Sequence, residues 1–453
     1  MKLTIIGGGG FRVPQIFQAV SAGDARLRVT ELWLYDTSLE RLDVMTRVLA
    51  QLAPGLARPP RVLATSHLAD ALDGADFVFS AIRVGGTAGR ISDEHIALRH
   101  GVLGQETVGP GGLAYALRTV PHAQWLARQI AVRAPGAWTI NFTNPAGILT
   151  EAMRAVLGDR VVSICDTPIG LMRRAASAVG QDPRDVTFDY VGLNHLGWLR
   201  TLEVDGVDRL PELLADDARL DSIEEARVLG FDWVRALGAI PNEYLFYYDR
   251  HREAVARLSS GEPTRGEYLD DQQSRFYVGA AAEPGRALEI WEATRHAREA
   301  SYMGESRPAD QRFARRAEDV EGGGYQEVAL DLMTGLATGT AGTMILGVGN
   351  GSRGAGELLV PQLPADAVLE VPCTVDRDGV HPQAVGPVDG ELAGLMVQVK
   401  ASEQLVLRAL AEGSRELAWR AFAAHPLVDS TTVARRLVED YCAATPEVGE
   451  ALR

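Results

Sequence analysis

Short apolar runs alternate with amphipathic segments through the first half of the chain. The runs cover residues 3–6, 32–35, 77–82, 138–142 and 161–165, and polar, Gly or Pro residues bound them. Segments such as 120–132 lie between them and repeat apolar residues at helical spacing, so strands and helices are predicted to alternate. This order is typical of an α/β protein with a doubly wound parallel sheet, whose ligands bind beyond the carboxyl ends of the strands.

The first run leads directly into a glycine-rich turn. Consecutive glycines let the backbone approach a pyrophosphate closely, and segment 13–20 is expected to begin a helix whose positive N-terminus faces the anion. The junction predicts a Rossmann-like dinucleotide-binding domain, although the third glycine of the usual fingerprint would fall at Arg12. The predicted dinucleotide contacts are Gly7, Gly8, Gly9, Gly10, Phe11 and Arg12.

The second apolar run is followed directly by an acid, Asp36. A carboxylate in this position can accept hydrogen bonds from a ribose 2′-hydroxyl, which favours NAD over NADP. The structural alternative is an ordinary glycine-rich turn with a surface aspartate.

Composition and charge narrow the class of protein. The 453 residues, 46% hydrophobic and 23% charged, can bury a core large enough for two or three lobes. The net charge of −15 argues against a nucleic-acid partner. We find no signal peptide and no apolar run of about 20 residues, so we expect a cytoplasmic protein without membrane contact.

Three cysteines, Cys165, Cys373 and Cys442, are too few and too scattered for a disulfide framework or a structural zinc site. Cys165 ends an apolar run, and His195 follows a turn after the run at 188–191. A thiolate and an imidazole make half a metal site, whose other ligands would come from substrate and water. The structural alternatives are a small buried cysteine and a hydrogen-bonding histidine.

Further polar residues follow the strands and should open on the same rim. Asp93 and Glu94 come after Ser92, an arrangement that predicts the start of a helix. The segment 105–112, QETVGPGG, is predicted to be a loop that closes over cofactor and sugar.

Ordered motifs along the chain then resemble one family. From Met1 to about Gly266, and more weakly from 368 to 428, the sequence resembles glycoside hydrolase family 4, the NAD- and metal-dependent glycosidases. The similar segments are IIGGGGFRVP, IRVGG with GRISDE, HGVLGQETVGPGG, INFTNPAG, ICDTPIG, GLNHLGW, PNEYLFYY and PTRGE.

The resemblance implies roles for individual residues. Cys165 and His195 would hold a divalent metal, commonly manganese, whose coordination the sugar O2 and O3 complete. Asn144 would contact the sugar, Tyr244 would be the base at C2, and Asp166 is the candidate acid. From the residues alone, Tyr244 also fits an aromatic helix face in a core, and Asp166 a turn residue.

A phosphate site is also implied by the resemblance. Arg265, with Arg83, would bind a 6-phosphate of the substrate, and a guanidinium suits phosphate bidentately. The structural alternative for Arg265 is a solvated, charged loop.

The implied chemistry is oxidation, elimination, addition and reduction. NAD removes a hydride from C3, and the resulting ketone acidifies C2–H enough for a tyrosinate to remove the proton. The aglycone then leaves C1, water adds, and the proton and hydride return, so the hydrolysis is redox-neutral.

We therefore predict a 6-phospho-β-glucosidase. The motif CDTP resembles α-acting relatives, whereas the N-terminal run and AAHPLV resemble β-acting ones, so a 6-phospho-α-glucosidase or another family 4 glycosidase is the alternative. A plain NAD-dependent dehydrogenase or sensor on the same fold would leave Cys165 and His195 structural.

The predicted domains are 1–195, which binds the dinucleotide, and 196–453, an α+β domain for substrate and oligomerisation. Long amphipathic helices over 283–304 and 391–417 are expected to contribute to a subunit interface of a homodimer or homotetramer.

Overall fold

Strands from both halves of the chain join in one sheet. The computed structural model describes residues 1–23, 26–307, 311, 313–316, 319, 324–339, 342–354 and 357–453. Within these residues the sheet has thirteen strands. They are β1 Lys2–Ile6, β2 Glu31–Tyr35, β3 Arg61–Thr65, β4 Phe77–Ser80, β5 Trp138–Asn141, β6 Val161–Ser163, β7 Thr187–Leu193, β8 Leu196–Val204, β9 Val207–Asp208, β10 Ile240–Pro241, β11 Met344–Gly349, β12 Val368–Asp376 and β13 Gly379–Pro382.

The first six strands form the predicted parallel sheet. Their order is β3-β2-β1-β4-β5-β6, and every neighbouring pair is parallel. Every residue of β4 is buried, because helices cover both faces of a doubly wound sheet. This is the strand order of a Rossmann-like domain, so the predicted fold class is confirmed.

The later strands extend the same sheet in antiparallel fashion. β11 pairs with β6 at Gly347 and Ser163, and the sheet continues through β12, β7, β8 and β10. A Cβ on Gly347 would lie 1.8 Å from the Ser163 Oγ, so a glycine permits this close approach. The domain boundary between residues 195 and 196 stays a prediction.

Helices pack on both faces of the sheet. Short 3₁₀ helices cover Ala53–Gly55, Gly158–Arg160, Glu243–Leu245, Pro284–Arg286 and Gly304–Ser306. The α-helices are Val13–Val20, Leu39–Leu52, Leu68–Leu72, Gly86–Arg99, Gly109–Arg133, Ala146–Leu157, Asp166–Ala178, Leu210–Ala215, Asp217–Asp221, Glu224–Leu229, Phe231–Leu237, Phe246–Asp249, His251–Leu258, Arg265–Ala282, Ala287–Ala300, Tyr325–Thr338, Gly390–Glu412, Arg415–Ala424, Thr431–Ala444 and Pro446–Ala451.

The predicted loop at 105–112 is only partly a loop. Its last four residues form the first turn of the helix Gly109–Arg133 and are buried. A Cβ on Gly111 would lie 2.1 Å from the Gln105 carbonyl oxygen. These glycines therefore let a helix begin against the preceding loop, and the prediction that they belong to the loop was wrong.

Asp93 and Glu94 do not start a helix, since they lie inside the helix Gly86–Arg99. Both side chains are buried. Asp93 accepts two hydrogen bonds from Arg118, at 3.0 and 2.7 Å, and Glu94 Oε1 lies 2.6 Å from Arg90 Nε. Buried carboxylates need such partners, so ion pairing, and not capping, accounts for these two acids.

The two long helices predicted in the second half are shorter than expected. The segment 283–304 holds the helix Ala287–Ala300, and 391–417 is divided by Gly413 and Ser414 into two helices. Gly413 has a φ of +65° and caps the first of them, because glycine adopts this backbone conformation without a steric penalty. Across the described parts of the chain, no helix is both long and apolar enough to cross a membrane.

Candidate active site

One cavity of about 1,090 Å³ collects most of the predicted site residues. It lies at the carboxyl ends of the parallel strands, where a doubly wound sheet binds its ligands. Gly8 and Gly9 are not part of its lining. The predicted residues that line it are Gly7, Gly10, Phe11, Arg12, Asp36, Arg83, Asn144, Cys165, Asp166, His195, Tyr244 and Arg265.

The glycine turn, residues 7–10, packs against neighbouring strands. The N–H groups of Gly7 and Gly8 donate to the Tyr35 carbonyl at 2.9 and 2.7 Å. Gly7 has a φ of +93°, and a Cβ there would lie 2.4 Å from the Ala81 carbonyl oxygen. The turn therefore needs glycine both for its conformation and for its close packing, and it brings Gly10 and the start of the helix Val13–Val20 to the cavity.

Asp36 is tied to the glycine turn. Its Oδ2 accepts from the Gly9 N–H at 3.0 Å, and its Oδ1 accepts from the Ser38 N–H at 2.9 Å. Each carboxylate oxygen has a second lone pair, so Asp36 retains the capacity to accept from a ribose hydroxyl in the cavity.

Helices from the second half of the chain enclose the residues after the turn. The Phe11 ring packs 5.2 Å from that of Phe276, and Trp291 Nε1 donates to the Phe11 carbonyl at 2.8 Å. The Arg12 guanidinium lies 4.9 Å from the Tyr325 ring centroid. The two halves of the chain thus build the cavity together.

His195 sits in the tight turn between β7 and β8, with a φ of +63°. Its Nδ1 lies 2.9 Å from the Thr107 Oγ1, which also donates to the Gln105 Oε1 at 3.1 Å. A hydroxyl has one proton, so Thr107 accepts from Nδ1–H when it donates to Gln105. This tautomer leaves the Nε2 lone pair available to a metal ion.

Hydrogen bonds connect Cys165 to Tyr244. The Cys165 Sγ lies 3.3 Å from the Thr167 Oγ1, which accepts from Asn242 Nδ2 at 2.6 Å. The Asn242 Oδ1 accepts in turn from the Tyr244 N–H at 3.0 Å. Asn242 therefore fixes the position of Tyr244 relative to the thiol.

Tyr244 and His195 stack face to face. Their ring centroids are 3.7 Å apart and their planes differ by 2°. We call Cys165, Thr167, His195, Asn242 and Tyr244 the polar cluster. Burial raises the pKa of the Cys165 thiol and of the Tyr244 phenol, and it lowers the pKa of His195 to about 3.

The polar cluster fits a divalent cation. Sulfur and a neutral imidazole are good ligands for transition metals, and a nearby positive charge would favour the anionic thiolate and phenolate that burial opposes. Where residues are described, no group of three or more His, Cys, Asp or Glu side chains could hold a metal by itself. A cation here would therefore need further ligands from substrate and water, as the sequence predicts.

Asp166 and Asn144 lie beside the cluster. Asp166 is the first residue of the helix Asp166–Ala178 and is half-buried in the cavity wall. Asn144 follows β5 and is also half-buried there. Both positions are compatible with contact to a ligand, and their roles stay predictions.

Arg265 does not lie in a solvated loop. It opens the helix Arg265–Ala282, which Thr264 and Glu267 cap reciprocally. Its guanidinium donates to the Ser301 Oγ at 2.7 Å and to the Arg298 carbonyl at 3.3 Å. For the described residues no carboxylate pairs with it, so its charge faces the cavity without an acidic partner.

Family models match nearly the whole chain. The model described as Family 4 glycosyl hydrolase matches residues 2–181, and the one described as Family 4 glycosyl hydrolase C-terminal domain matches residues 190–428. The chain belongs to glycosyl hydrolase family 4.

Relatives in family 4 carry both anomeric names. The probable 6-phospho-beta-glucosidase of Bacillus subtilis is 29% identical, with 97% of this chain and 95% of the relative covered. The 6-phospho-alpha-glucosidase 1 of Lacticaseibacillus paracasei is also 29% identical, with 100% and 99% covered. A structure of the 6-phospho-beta glucosidase from Thermotoga maritima with manganese, NAD+ and glucose-6-phosphate is 25% identical, covers 99% of each chain and has a TM-score of 0.81.

Several side chains of this family 4 site were missed by the sequence analysis. Glu106 pairs with Arg83 and lies 2.7 Å from Arg90. Although burial opposes its charge, these two guanidiniums lower the pKa of Glu106 to about 2. The ion pair with Glu106 partly neutralises the Arg83 guanidinium. Arg83 therefore attracts a phosphate less strongly than Arg265 does.

Arg298 is a further charged residue of the cavity that the sequence analysis missed. Its guanidinium lies 4.3 Å from the Phe11 ring centroid, in the cavity lining. Burial, with the like charges of Arg12 and Arg265, lowers the pKa of Arg298 to about 9. Because Arg298 has no acidic partner in the described structure, this part of the cavity suits an anion. In the sequence, Arg298 is one residue of an amphipathic helix, and no local motif marks it as a residue of the site.

Proposed function

We propose that this family 4 protein hydrolyses 6-phospho-β-glucosides with bound NAD and a divalent metal, Mn²⁺, by the redox-neutral route of oxidation, elimination, addition and reduction. The observation that carries the proposal is the polar cluster, in which a tyrosine stacks on an imidazole and connects to a thiol. The glycine turn lines the same cavity, so a nicotinamide and the polar cluster can meet one sugar.

The residues present fit both groups. The glycine turn and Asp36 suit a dinucleotide, and Cys165 with the Nε2 of His195 suits a cation. When bound, NAD would take up and return the C3 hydride, and the metal would hold the sugar hydroxyls and stabilise negative charge on their oxygens.

Tyr244 removes and returns the C2 proton in this proposal. Its ring cannot tilt away while it stacks on His195, and its backbone N–H is held by Asn242. A fixed base at hydrogen-bond distance contributes through both orientation and proton transfer. Asp166 protonates the leaving oxygen, and Asn144 binds the sugar.

The 6-phosphate is assigned to Arg265, with Arg83 as its partner. The cavity supports this assignment because neither Arg265 nor Arg298 is neutralised by an acid in the described structure. An anion that enters would recover the electrostatic cost of burying these like charges together. The names of the relatives support a phosphorylated glucoside as the substrate.

The β preference rests on the N-terminal run and on AAHPLV. The competing α activity is favoured by the CDTP motif around Asp166 and by the α-glucosidase relative of equal identity. Since elimination proceeds through C2, the chemistry itself permits either leaving group at C1.

The test is a panel of nitrophenyl glucosides. The reduced protein is incubated with NAD and Mn²⁺ and offered the β and α anomers, each with and without a 6-phosphate. We expect nitrophenol from the phosphorylated β anomer without stoichiometric NADH. Steady NADH production would favour the dehydrogenase alternative, hydrolysis of the α anomer alone would reverse the anomeric assignment, and equal turnover of unphosphorylated glucosides would remove the phosphate requirement.

A further inference from the structure

Three aromatic side chains from the second half of the chain donate hydrogen bonds to backbone carbonyls of residues 9–12. These side chains, which we call the donor clamp, are Tyr277, Trp291 and Tyr325. Their acceptors are, in the same order, the carbonyl oxygens of Gly9, Phe11 and Arg12. The bonds from the indole and from the last hydroxyl are each 2.8 Å long.

The three donors belong to three different helices, which are Arg265–Ala282, Ala287–Ala300 and Tyr325–Thr338. Trp291 and Tyr325 are each 1% exposed, and Tyr277 is half-buried. Burial raises the pKa of both phenols, so each keeps the proton that it donates, and an indole N–H can only donate. All three bonds therefore run from the clamp to the backbone.

The donor clamp sets the orientation of peptide groups. A trans peptide group is planar, so its C=O and its N–H point in opposite directions. By holding the Phe11 carbonyl, Trp291 turns the Arg12 N–H away from the helix Ala287–Ala300. Tyr325 holds the next peptide group in the same way, through the Arg12 carbonyl.

Two N–H groups of this segment are left for a ligand. The N–H groups of residues 7–10 all donate within the chain. In the described structure, no backbone or side-chain atom accepts from the N–H groups of Phe11 and Arg12, and both residues line the cavity. Unused N–H groups at the start of a helix bind phosphate oxygens.

Positive charge lies beside these N–H groups. The Arg298 guanidinium is 4.3 Å from the Phe11 ring centroid. Arg298 follows Trp291 by almost two turns of the same helix, so both side chains face the same segment. The helix that holds the Phe11 carbonyl therefore also brings a cation to Phe11.

We propose that the donor clamp aims the N–H groups of Phe11 and Arg12 at the pyrophosphate of NAD, so that the second half of the chain completes the dinucleotide site. This inference rests on the glycine turn as the place where NAD binds, and it goes beyond the proposed hydrolysis, which gives the clamp no role. Trp291 is a positioning residue, because it is not part of the described cavity lining and acts through the backbone that it holds.

The experiment measures the affinity of the full-length chain for three ligands by isothermal titration calorimetry. NAD and ADP-ribose contain the pyrophosphate, whereas adenosine lacks it and still offers its ribose to Asp36. The variants are Trp291→Phe, Tyr277→Phe and Tyr325→Phe, each of which removes one donor and keeps an aromatic ring. If Trp291→Phe does not fold, the two tyrosine variants, which lose a single oxygen each, provide the test.

We expect the Kd of NAD and of ADP-ribose to rise about 10-fold in Trp291→Phe and about 5-fold in each tyrosine variant. The Kd of adenosine should change less than about 2-fold, because its contacts do not include the aimed N–H groups. The phosphorus resonances of bound NAD should also shift between the wild type and Trp291→Phe, because the donors to the pyrophosphate move.

Two control variants remove the same kind of hydrogen bond away from the cavity. The Trp419 Nε1 donates to the Thr431 carbonyl at 2.8 Å, and the Tyr441 hydroxyl donates to the Asp93 carbonyl at 3.0 Å. Trp419→Phe and Tyr441→Phe should therefore bind NAD within about 2-fold of the wild-type Kd. Unfolding temperatures are measured for every variant.

The possible outcomes separate the donor clamp from the proposed hydrolysis. Wild-type NAD affinity in the folded clamp variants would overturn the inference, and so would equal losses for adenosine and ADP-ribose or equal losses in the controls. If the wild type binds NAD with the expected variant pattern but hydrolyses no glucoside, the proposed function fails and the clamp stands. If the wild type binds no NAD, both fail.

Discussion

The glycine turn and the polar cluster face one cavity but are built differently. The turn uses consecutive residues, and its contacts are made by backbone N–H and C=O groups held against β2 and β4. The polar cluster uses side chains from three separate segments, which hydrogen bonds of 2.6–3.3 Å and the stacking of Tyr244 on His195 align. One region depends on the absence of side chains, and the other depends on their exact chemistry.

This difference separates two kinds of sensitivity. A change in the turn alters the fit of the backbone and should act on stability and NAD binding together. A change in the polar cluster removes one functional group and should act on metal binding or proton transfer while NAD still binds. The following variants test whether the two regions can be disturbed independently.

Replacing Tyr244 with Phe should have the largest effect. The ring can still stack on His195, but the oxygen that takes the C2 proton is lost, so kcat should fall by about 10³-fold or more. Exchange of C2–H with deuterated solvent, followed by NMR, should disappear, and NAD affinity should stay within about 2-fold. Exchange at the full rate would identify another residue as the base.

Replacing Cys165 with Ser should come next. A serine hydroxyl is a poorer ligand than a thiolate for a transition metal, so Mn²⁺ affinity and activity should fall about 100-fold. NAD titration should give the wild-type affinity. Cys442→Ser is the matched control, since Cys442 lies in the helix Thr431–Ala444 away from the cavity. Activity that survives a chelator in the wild type would contradict the metal assignment.

Replacing Gly7 with Ala tests the other region. The new Cβ would meet the Ala81 carbonyl oxygen at 2.4 Å, so we expect a loss of about 1–3 kcal/mol in the free energy of unfolding and weaker NAD binding. Gly74→Ala is the control, because Gly74 has a φ of +73° with no atom within 4 Å of the new Cβ. Equal losses in the two variants would mean that backbone conformation alone, and not close packing, makes Gly7 necessary.

Replacing Thr107 with Val should give the smallest change of the four. His195 would lose the acceptor of its Nδ1–H, which orients the ring, and Mn²⁺ affinity should fall about 10-fold. Thr119→Val is matched to it, because the Thr119 hydroxyl is buried and finds no hydrogen-bond partner in the described structure. A drop of equal size at Thr119 would point to helix packing instead.

The sequence was most informative where function depends on neighbouring residues. The glycine turn with Asp36, and the parallel sheet behind it, follow from local patterns. Cys165 and His195 were expected on one rim, and both line the cavity. The rule that parallel strands end at the same edge of a sheet accounts for Cys165, whereas His195 follows β7, a strand that pairs in antiparallel fashion and to which the rule does not apply.

Contacts between distant residues could not be predicted. A local rule predicts a helix start at Asp93 and Glu94, yet Asp93 pairs with Arg118 and the Glu94 Oε2 accepts from the Gly266 N–H, both far away along the chain. Thr107 reaches His195 across 88 positions of the chain. Such partners are set by tertiary packing, and no periodicity of the sequence records them.

The continuous sheet also limits how the protein can admit a substrate. β6, which leads into Cys165, is bonded on one side to β5 and on the other to β11. A hinge between the two halves at this point would have to break main-chain hydrogen bonds and open the contact between Ser163 and Gly347. We therefore expect substrate to enter the cavity through movements of side chains and short connecting segments, while the sheet keeps its shape.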